Sequence, residues 1–186
     1  MLQNFVQWSD TTRANRVVQL LRPFITGRTL DVGCWNGMVA RELSDNIVGI
    51  DVAQPPNPVI PVTIYNGREI PFQDKEFDTV LCCTALHHAE DQDAVLSEMK
   101  RVGRKIVIME DRYDNIVDRI SVVGLHAIGS RVVGMPYLVS GFRPIASWLD
   151  LFERHQLTVK SCHACPGIQP LWFGLRHYIF ELEPAA

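Results

Sequence analysis

Arg28-Thr29-Leu30-Asp31-Val32-Gly33-Cys34-Trp35-Asn36-Gly37 is the stretch whose reading decides the fold. Thr29 to Val32 is a short apolar run broken by one acid, the pattern of a strand buried in a parallel sheet. Gly33 and Gly37 bracket a tight turn, and Met38 to Leu43 has helix-forming composition. Strand, glycine turn and helix in that order aim backbone N–H groups and a helix N-terminus at an anionic ligand group. The glycines let a ligand approach the backbone closely. The spacing Gly33-x-x-x-Gly37 lacks the Gly-x-Gly-x-x-Gly of the dinucleotide fingerprint, which argues against a nicotinamide cofactor.

Reading outward, Asn46 to Asp51 is a second apolar strand ending in an acid, twenty residues after Asp31 (51 − 31). In a doubly wound sheet, an acid at the carboxyl end of the second strand faces the ribose of a nucleoside. A carboxylate accepts hydrogen bonds from vicinal hydroxyls, so the chemistry suits the position. The plainer reading is an Asp that caps a turn. Pro55, Pro56, Pro58 and Pro61 then exclude a helix and predict an extended crossover. Val59 to Tyr65 follows as an edge strand, because Pro61 lacks a ladder donor. Glu76 to Cys83 is the fourth strand and Glu90 to Arg101 a helix with acids early and bases late, as the helix dipole favours. Arg104 to Met109 is the fifth strand, with Glu110 and Asp111 at its carboxyl end.

The 186 residues predict one domain with a substantial core. A net charge of −3 gives no general attraction to nucleic acid or acidic membrane. No apolar run is long enough to span a bilayer. The start lacks a basic segment followed by an apolar one, so no secretory signal is visible. With five cysteines, an odd count, the expectation is reduced thiols and a cytoplasmic protein. Cys162-His163-Ala164-Cys165 looks like half a zinc site, but no second pair has matching spacing, so no metal is expected.

Asp31-Val32-Gly33-Cys34-Trp35-Asn36-Gly37 resembles the first motif of the class I S-adenosylmethionine-dependent methyltransferases, Asp-x-Gly-x-Gly-x-Gly. Trp35 replaces the middle glycine. A tryptophan at φ > 0 would be strained, so the expectation is φ < 0 at Trp35, with its ring turned away from the methionine part of the cofactor. Tyr65-Asn66-Gly67-Arg68-Glu69-Ile70-Pro71-Phe72 is similar to the family's Asp-Ala-x-x-Leu-Pro-Phe stretch, with Asn66 in the acid's place. Phe77-Asp78-Thr79-Val80 matches its Phe-Asp-x-Val entry to strand four, and Leu86-His87-His88 its frequent Leu-His-His. The resemblance covers Leu30 to Met109.

The resemblance implies a doubly wound α/β, Rossmann-like seven-stranded sheet of order 3-2-1-4-5-7-6 with the last strand antiparallel. A single domain over 1–186 would comprise an N-terminal helix in 1–27, a cofactor-binding half in 28–109, a possible substrate lid in 111–143, and a helix with a strand pair in 144–186. In finer detail, helices are expected over Ser9–Leu21 and Ile145–His155, with strands over Gln156–Ala164 and Arg176–Glu183. The implied cofactor is S-adenosylmethionine, leaving as S-adenosylhomocysteine. Its implied contacts are Asp31, Gly33, Cys34, Trp35, Gly37, Asp51, Val52, Asn66, Gly67, Cys83 and Thr84. Asn66 would accept from the adenine amino group and Val52 would pack on the adenine face. Arg13 and Arg16 could reach the cofactor carboxylate, although a solvated helix face is the plainer reading.

The implied reaction is methyl transfer by in-line displacement to a small organic acceptor. His87 is the first candidate for base or substrate hydrogen bond and His88 the second, since histidine titrates near neutrality. Tyr113, His126, Tyr137 and Arg143 are candidate lid contacts. Cys82-Cys83-Thr84-Ala85 lacks the Asn- or Asp-Pro-Pro-aromatic motif of base-modifying amino-methyltransferases. The implied partners are a small molecule, no nucleic acid and no membrane span, in a monomer or homodimer. The alternative is a non-catalytic cofactor-binding subunit assisting a partner protein.

Overall fold

The computed structural model describes residues 2–133, 141–165 and 176–185. Seven strands form one sheet of order β3-β2-β1-β4-β5-β7-β6. They are β1 (Thr29–Val32), β2 (Ile47–Asp51), β3 (Val62–Ile64), β4 (Phe77–Cys83), β5 (Gly103–Arg112), β6 (Leu157–Cys165) and β7 (Arg176–Pro184). Pairings up to β4–β5 are parallel, and β7 runs antiparallel to both β5 and β6. The helices are α1 (Leu2–Leu21), α2 (Met38–Leu43), α3 (Gln92–Val102), α4 (Ile116–Val133) and α5 (Ile145–Arg154).

The central strands are buried on both faces because successive side chains point to opposite sides. In β5, Ile106 and Ile108 join the core beneath α3 and α5, with Phe77, Leu96, Met99, Trp148, Phe152 and Phe180. Val107 and Met109 face the other way and pack with Val17, Val18 and Leu21 of α1 and Leu43 of α2. This double burial explains why β1, β4 and β5 read as near-continuous apolar runs.

Several boundaries differ from the sequence expectation. Helix α1 starts at Leu2 rather than Ser9. Strand β3 is only Val62–Ile64, since Pro61 removes a donor just before it. Residues 52–61 contain no helix, as the four prolines require. Helix α3 begins at Gln92, because Asp91 caps it by accepting from the Ala94 N–H at 2.9 Å. Strand β5 continues to Arg112, which takes Glu110 and Asp111 into the strand rather than beyond it. In β6, Cys162 is exposed and Cys165 buried. Three residues apart on a strand, they point to opposite faces and cannot share a metal.

The expected lid region is occupied largely by α4. Ile116, Val117 and Ile120 are exposed on it, while Val122 packs with Phe142, Tyr113 and Val123. The expected contact Tyr137 lies outside the described residues, and of His126 only the backbone, within α4, is described.

Phe152 is fully buried, lies edge-on to Phe180 and stacks with Trp148. Phe152→Ala is expected to cost about 3–5 kcal/mol. Urea denaturation should show a lower midpoint with an unchanged m-value.

Candidate active site at the carboxyl end of the sheet

The turn from Gly33 to Gly37 is built by register. The N–H groups of Gly33 and Cys34 both donate to the Ile50 carbonyl, at 2.9 and 3.1 Å, and the Gly37 N–H donates to the Cys34 carbonyl at 3.0 Å. Gly33 has φ +74°, and a Cβ there would meet the Ala85 Cβ at 2.5 Å. A side chain at Gly37, at φ +78°, would collide with Ile60.

Trp35 corrects the sequence expectation: its φ is +49°, in the left-handed region. The tight turn leaves that position no other conformation, and its N–H donates to Asp51 Oδ2 at 2.8 Å. A left-handed residue costs roughly 1–2 kcal/mol, while a hydrogen bond to a charged group contributes about 1.5–3 kcal/mol. The bond offsets the strain, which is why a non-glycine residue is tolerated.

Asp51 is almost buried, and its second oxygen accepts from the Ala53 N–H at 3.2 Å. Each carboxylate oxygen keeps a further lone pair for an outside donor. Val52, the next residue, is 58% exposed. It touches the corner made by Gly67, at φ +77°, where an added Cβ would lie 3.3 Å from Val52 Cγ1. A carboxylate, an apolar platform and a polar corner therefore adjoin one another.

Asn66 does not present its amide oxygen as expected. Oδ1 accepts from the N–H groups of Arg68 and Glu69, at 2.8 and 2.7 Å, closing an Asx turn. Both lone pairs are used, so Asn66 faces a ligand with its Nδ2 donor. A cavity of about 630 Å³ beside Asn66 is lined by Ile64, Tyr65, Glu69, Ile70, Pro71, Glu98 and Arg101. It includes neither Gly33, Asp51 nor Thr84, so it flanks the site rather than forming it.

Thr84 directly follows β4, at φ +50°. Its N–H donates to the Met109 carbonyl at 2.7 Å, and its hydroxyl accepts from Arg13 at 2.7 Å. Arg13 is therefore not merely a solvated residue of α1: its guanidinium reaches the carboxyl end of the sheet. The thiols of Cys34 and Cys83 are pushed up, chiefly by burial, Cys83 to about 12. Neither is a thiolate near neutrality.

His87 is fully buried, not open to a substrate. Its Nδ1 lies 2.5 Å from Glu110 Oε2 and its Nε2 lies 4.0 Å from Asp111 Oδ2. Burial disfavours the imidazolium, but Glu110 and Asp111 outweigh it and raise the pKa. The ring stacks on Phe142, with centroids 4.5 Å apart, and packs against His88. The expected base is thus sealed between two carboxylates that favour its protonated form. His88 is half-buried beside it.

Glu110 also accepts from the N–H groups of Leu86 and His87, at 2.9 and 3.3 Å, which pins the Leu86–His88 turn to β5. Asp111 pairs with His177 on β7, 3.1 Å away. The strand pairing sets this contact, since Asp111 and His177 are register partners. Among the described residues, His87, Glu110 and Asp111 are the set whose donor atoms, all within 4.8 Å, could hold a metal ion. The turn after β4 brings the histidine to the two acids of β5.

Arg143 is a structural tie rather than an open lid contact. It donates to Gln92 Oε1 at 2.7 Å and Ser147 Oγ at 3.1 Å, and lies over the Trp148 ring. Gln92 in turn donates to the carbonyls of Leu86 and Gly141. Tyr113 packs beside Phe142. Gln92 and His177 gave no local signal of their place, because each reaches this end of the sheet from a distant element.

Residues 30–107 match the family model described as a methyltransferase domain. The chain is 31% identical over 133 residues to an uncharacterized protein of Methanocaldococcus jannaschii, covering 66% of this chain and 62% of that one. It is 33% identical over 135 residues to the ubiquinone/menaquinone biosynthesis C-methyltransferase of Cupriavidus necator, covering 64% and 56%. It therefore spans under two thirds of the length of these curated relatives. An S-adenosylmethionine-dependent methyltransferase of Thermotoga maritima superposes with a TM-score of 0.72 at 14% identity, covering 100% and 96% of the two chains. The sheet order and antiparallel last strand are those of the methyltransferase Rossmann-like fold. Among the described residues no helix is long and apolar enough to cross a membrane.

Removing Glu110 strands the buried His87 ring and two backbone N–H groups. Glu110→Ala is expected to destabilise the fold by about 3–5 kcal/mol, measured by urea titration at neutral pH.

Proposed function

We propose that the chain transfers a methyl group from S-adenosylmethionine to a small organic acceptor by in-line displacement. The observation that carries this reading is the Asp51 carboxylate, fixed by the N–H groups of Trp35 and Ala53 beside the exposed Val52. That arrangement suits a nucleoside: two hydroxyls on the carboxylate, a base on the valine, and ring nitrogens facing Asn66 Nδ2 and the Gly67 N–H. The matching methyltransferase domain over residues 30–107 supports it.

The cofactor supplies a methyl already activated by a cationic sulfur. The chain's task is to align the reactants and exclude water. Gly33 and Gly37 let the backbone come close. Arg13, held on Thr84, is placed for the cofactor carboxylate. Glu110 holds the turn at Leu86–His88 that walls the site. His87, fully buried against Glu110, acts by holding this wall and not as the base. An acceptor with apolar surface fits the exposed Ile116, Val117 and Ile120 of α4. The Cupriavidus necator relative is named for carbon methylation in quinone biosynthesis, a class of acceptor with such surface.

Calorimetric titration with S-adenosylmethionine, with NADH as control, tests the reading. Micromolar binding, about −8 kcal/mol, is expected for the sulfur cofactor and none for NADH. Asp51→Asn should weaken that binding about 10–100-fold, the loss of one or two charge-assisted hydrogen bonds. Unchanged affinity in this variant would refute the ribose assignment. Cofactor binding with no turnover on any acceptor would favour an assisting-subunit role.

A further inference from the structure

Two acids at this end of the sheet are treated differently by their surroundings. Asp51 receives two N–H donors. Asp31, two residues before Gly33, is 2% exposed and its Oδ1 has no hydrogen-bond partner. A buried carboxylate lacking donors or a cation is costly, and such a group takes up a proton instead. Burial first, and the nearby Asp51 second, push the Asp31 carboxyl up to about 7.

The other groups around Asp31 do not relieve it. Cys34 in the glycine turn and Cys82 and Cys83 on β4 are buried thiols raised in part by Asp31 itself, and so are uncharged. Glu110 on β5 adds negative charge near Cys82. The cation from α1, Arg13, is engaged by Thr84 and lies toward Cys83. A positive charge delivered by a ligand would supply what the protein leaves out.

We propose that binding of a cationic nucleoside cofactor here expels the proton held by the buried Asp31 carboxyl, so that affinity depends on pH. This rests on the methyl-donor reading above and adds a proton linkage to it. The balance is simple: the Asp31 carboxylic acid becomes a carboxylate, the proton passes to solvent, and the ligand's ammonium or sulfonium charge takes its place. A ligand that binds the ionised form better must release the proton, and protons must weaken the ligand by the same factor.

The sign follows directly. Below neutrality Asp31 holds its proton and binding must displace it, so affinity falls about tenfold for each pH unit lost. Above neutrality the carboxyl is already ionised and the dependence flattens.

The test is calorimetry of S-adenosylmethionine between about pH 5 and 7, below the range where a free amino group titrates, in two buffers of different ionisation heat. The expected result is affinity rising about tenfold per pH unit and release of close to one proton per cofactor at the acid end. Adenosine, the same nucleoside without the cation, should release none. Asp31→Asn should bind with a flat pH profile and no proton release. The buffer comparison on the unaltered protein stands even if that variant fails to fold. Tight binding with no pH dependence and no released proton would overturn the linkage while leaving the methyl-donor reading intact. Equal proton release with adenosine would also overturn it, since the cation would not be the cause. Absence of S-adenosylmethionine binding at every pH would overturn both.

Discussion

The hydrogen bond from the Trp35 N–H to Asp51 Oδ2 joins the first two strands where a ligand would sit. It makes a left-handed tryptophan tolerable inside a turn otherwise shaped by glycines. It also holds one oxygen of Asp51 in place, with Val52 and the Asn66–Gly67 corner beside it. Without that bond the turn would lose the donor that offsets its strain, and the carboxylate would lose one of its two fixed donors.

Charge burial divides this end of the sheet into two halves. On the β4–β5 side, Glu110 and Asp111 are answered by His87 and His177, so four buried ionisable side chains largely satisfy one another. On the β1–β2 side, Asp31 and Asp51 face each other's field with no buried cation. Coulomb energy offsets much of the desolvation cost in the first half, whereas in the second the field of a neighbouring acid adds to it.

Those histidines also change what the site residues can do. A free imidazole near neutrality is a natural base, and Leu86-His87-His88 reads that way in isolation. Packed under Phe142 with Nδ1 on Glu110, His87 is held in place, and two carboxylates outweigh its desolvation and favour its protonated form. Asn66 changes in the same manner: its oxygen closes its own turn before any ligand arrives.

The extended crossover and the glycine turn were legible in the sequence, because prolines and short glycine spacing act through local geometry. The seven-strand order, with its antiparallel last strand, was what the family resemblance implied. Local signals also carried Asp51 to the carboxyl end of β2. The φ of Trp35, the sealing of His87, the reach of Arg13 to Thr84 and the pairing of Asp111 with His177 were decided only by the tertiary structure. The last two join residues 71 and 66 positions apart (84 − 13 and 177 − 111), and the first two depend on Asp51 and Glu110 arriving from other strands. No local pattern encodes such contacts, because burial and the field of distant charges exist only once the sheet has assembled.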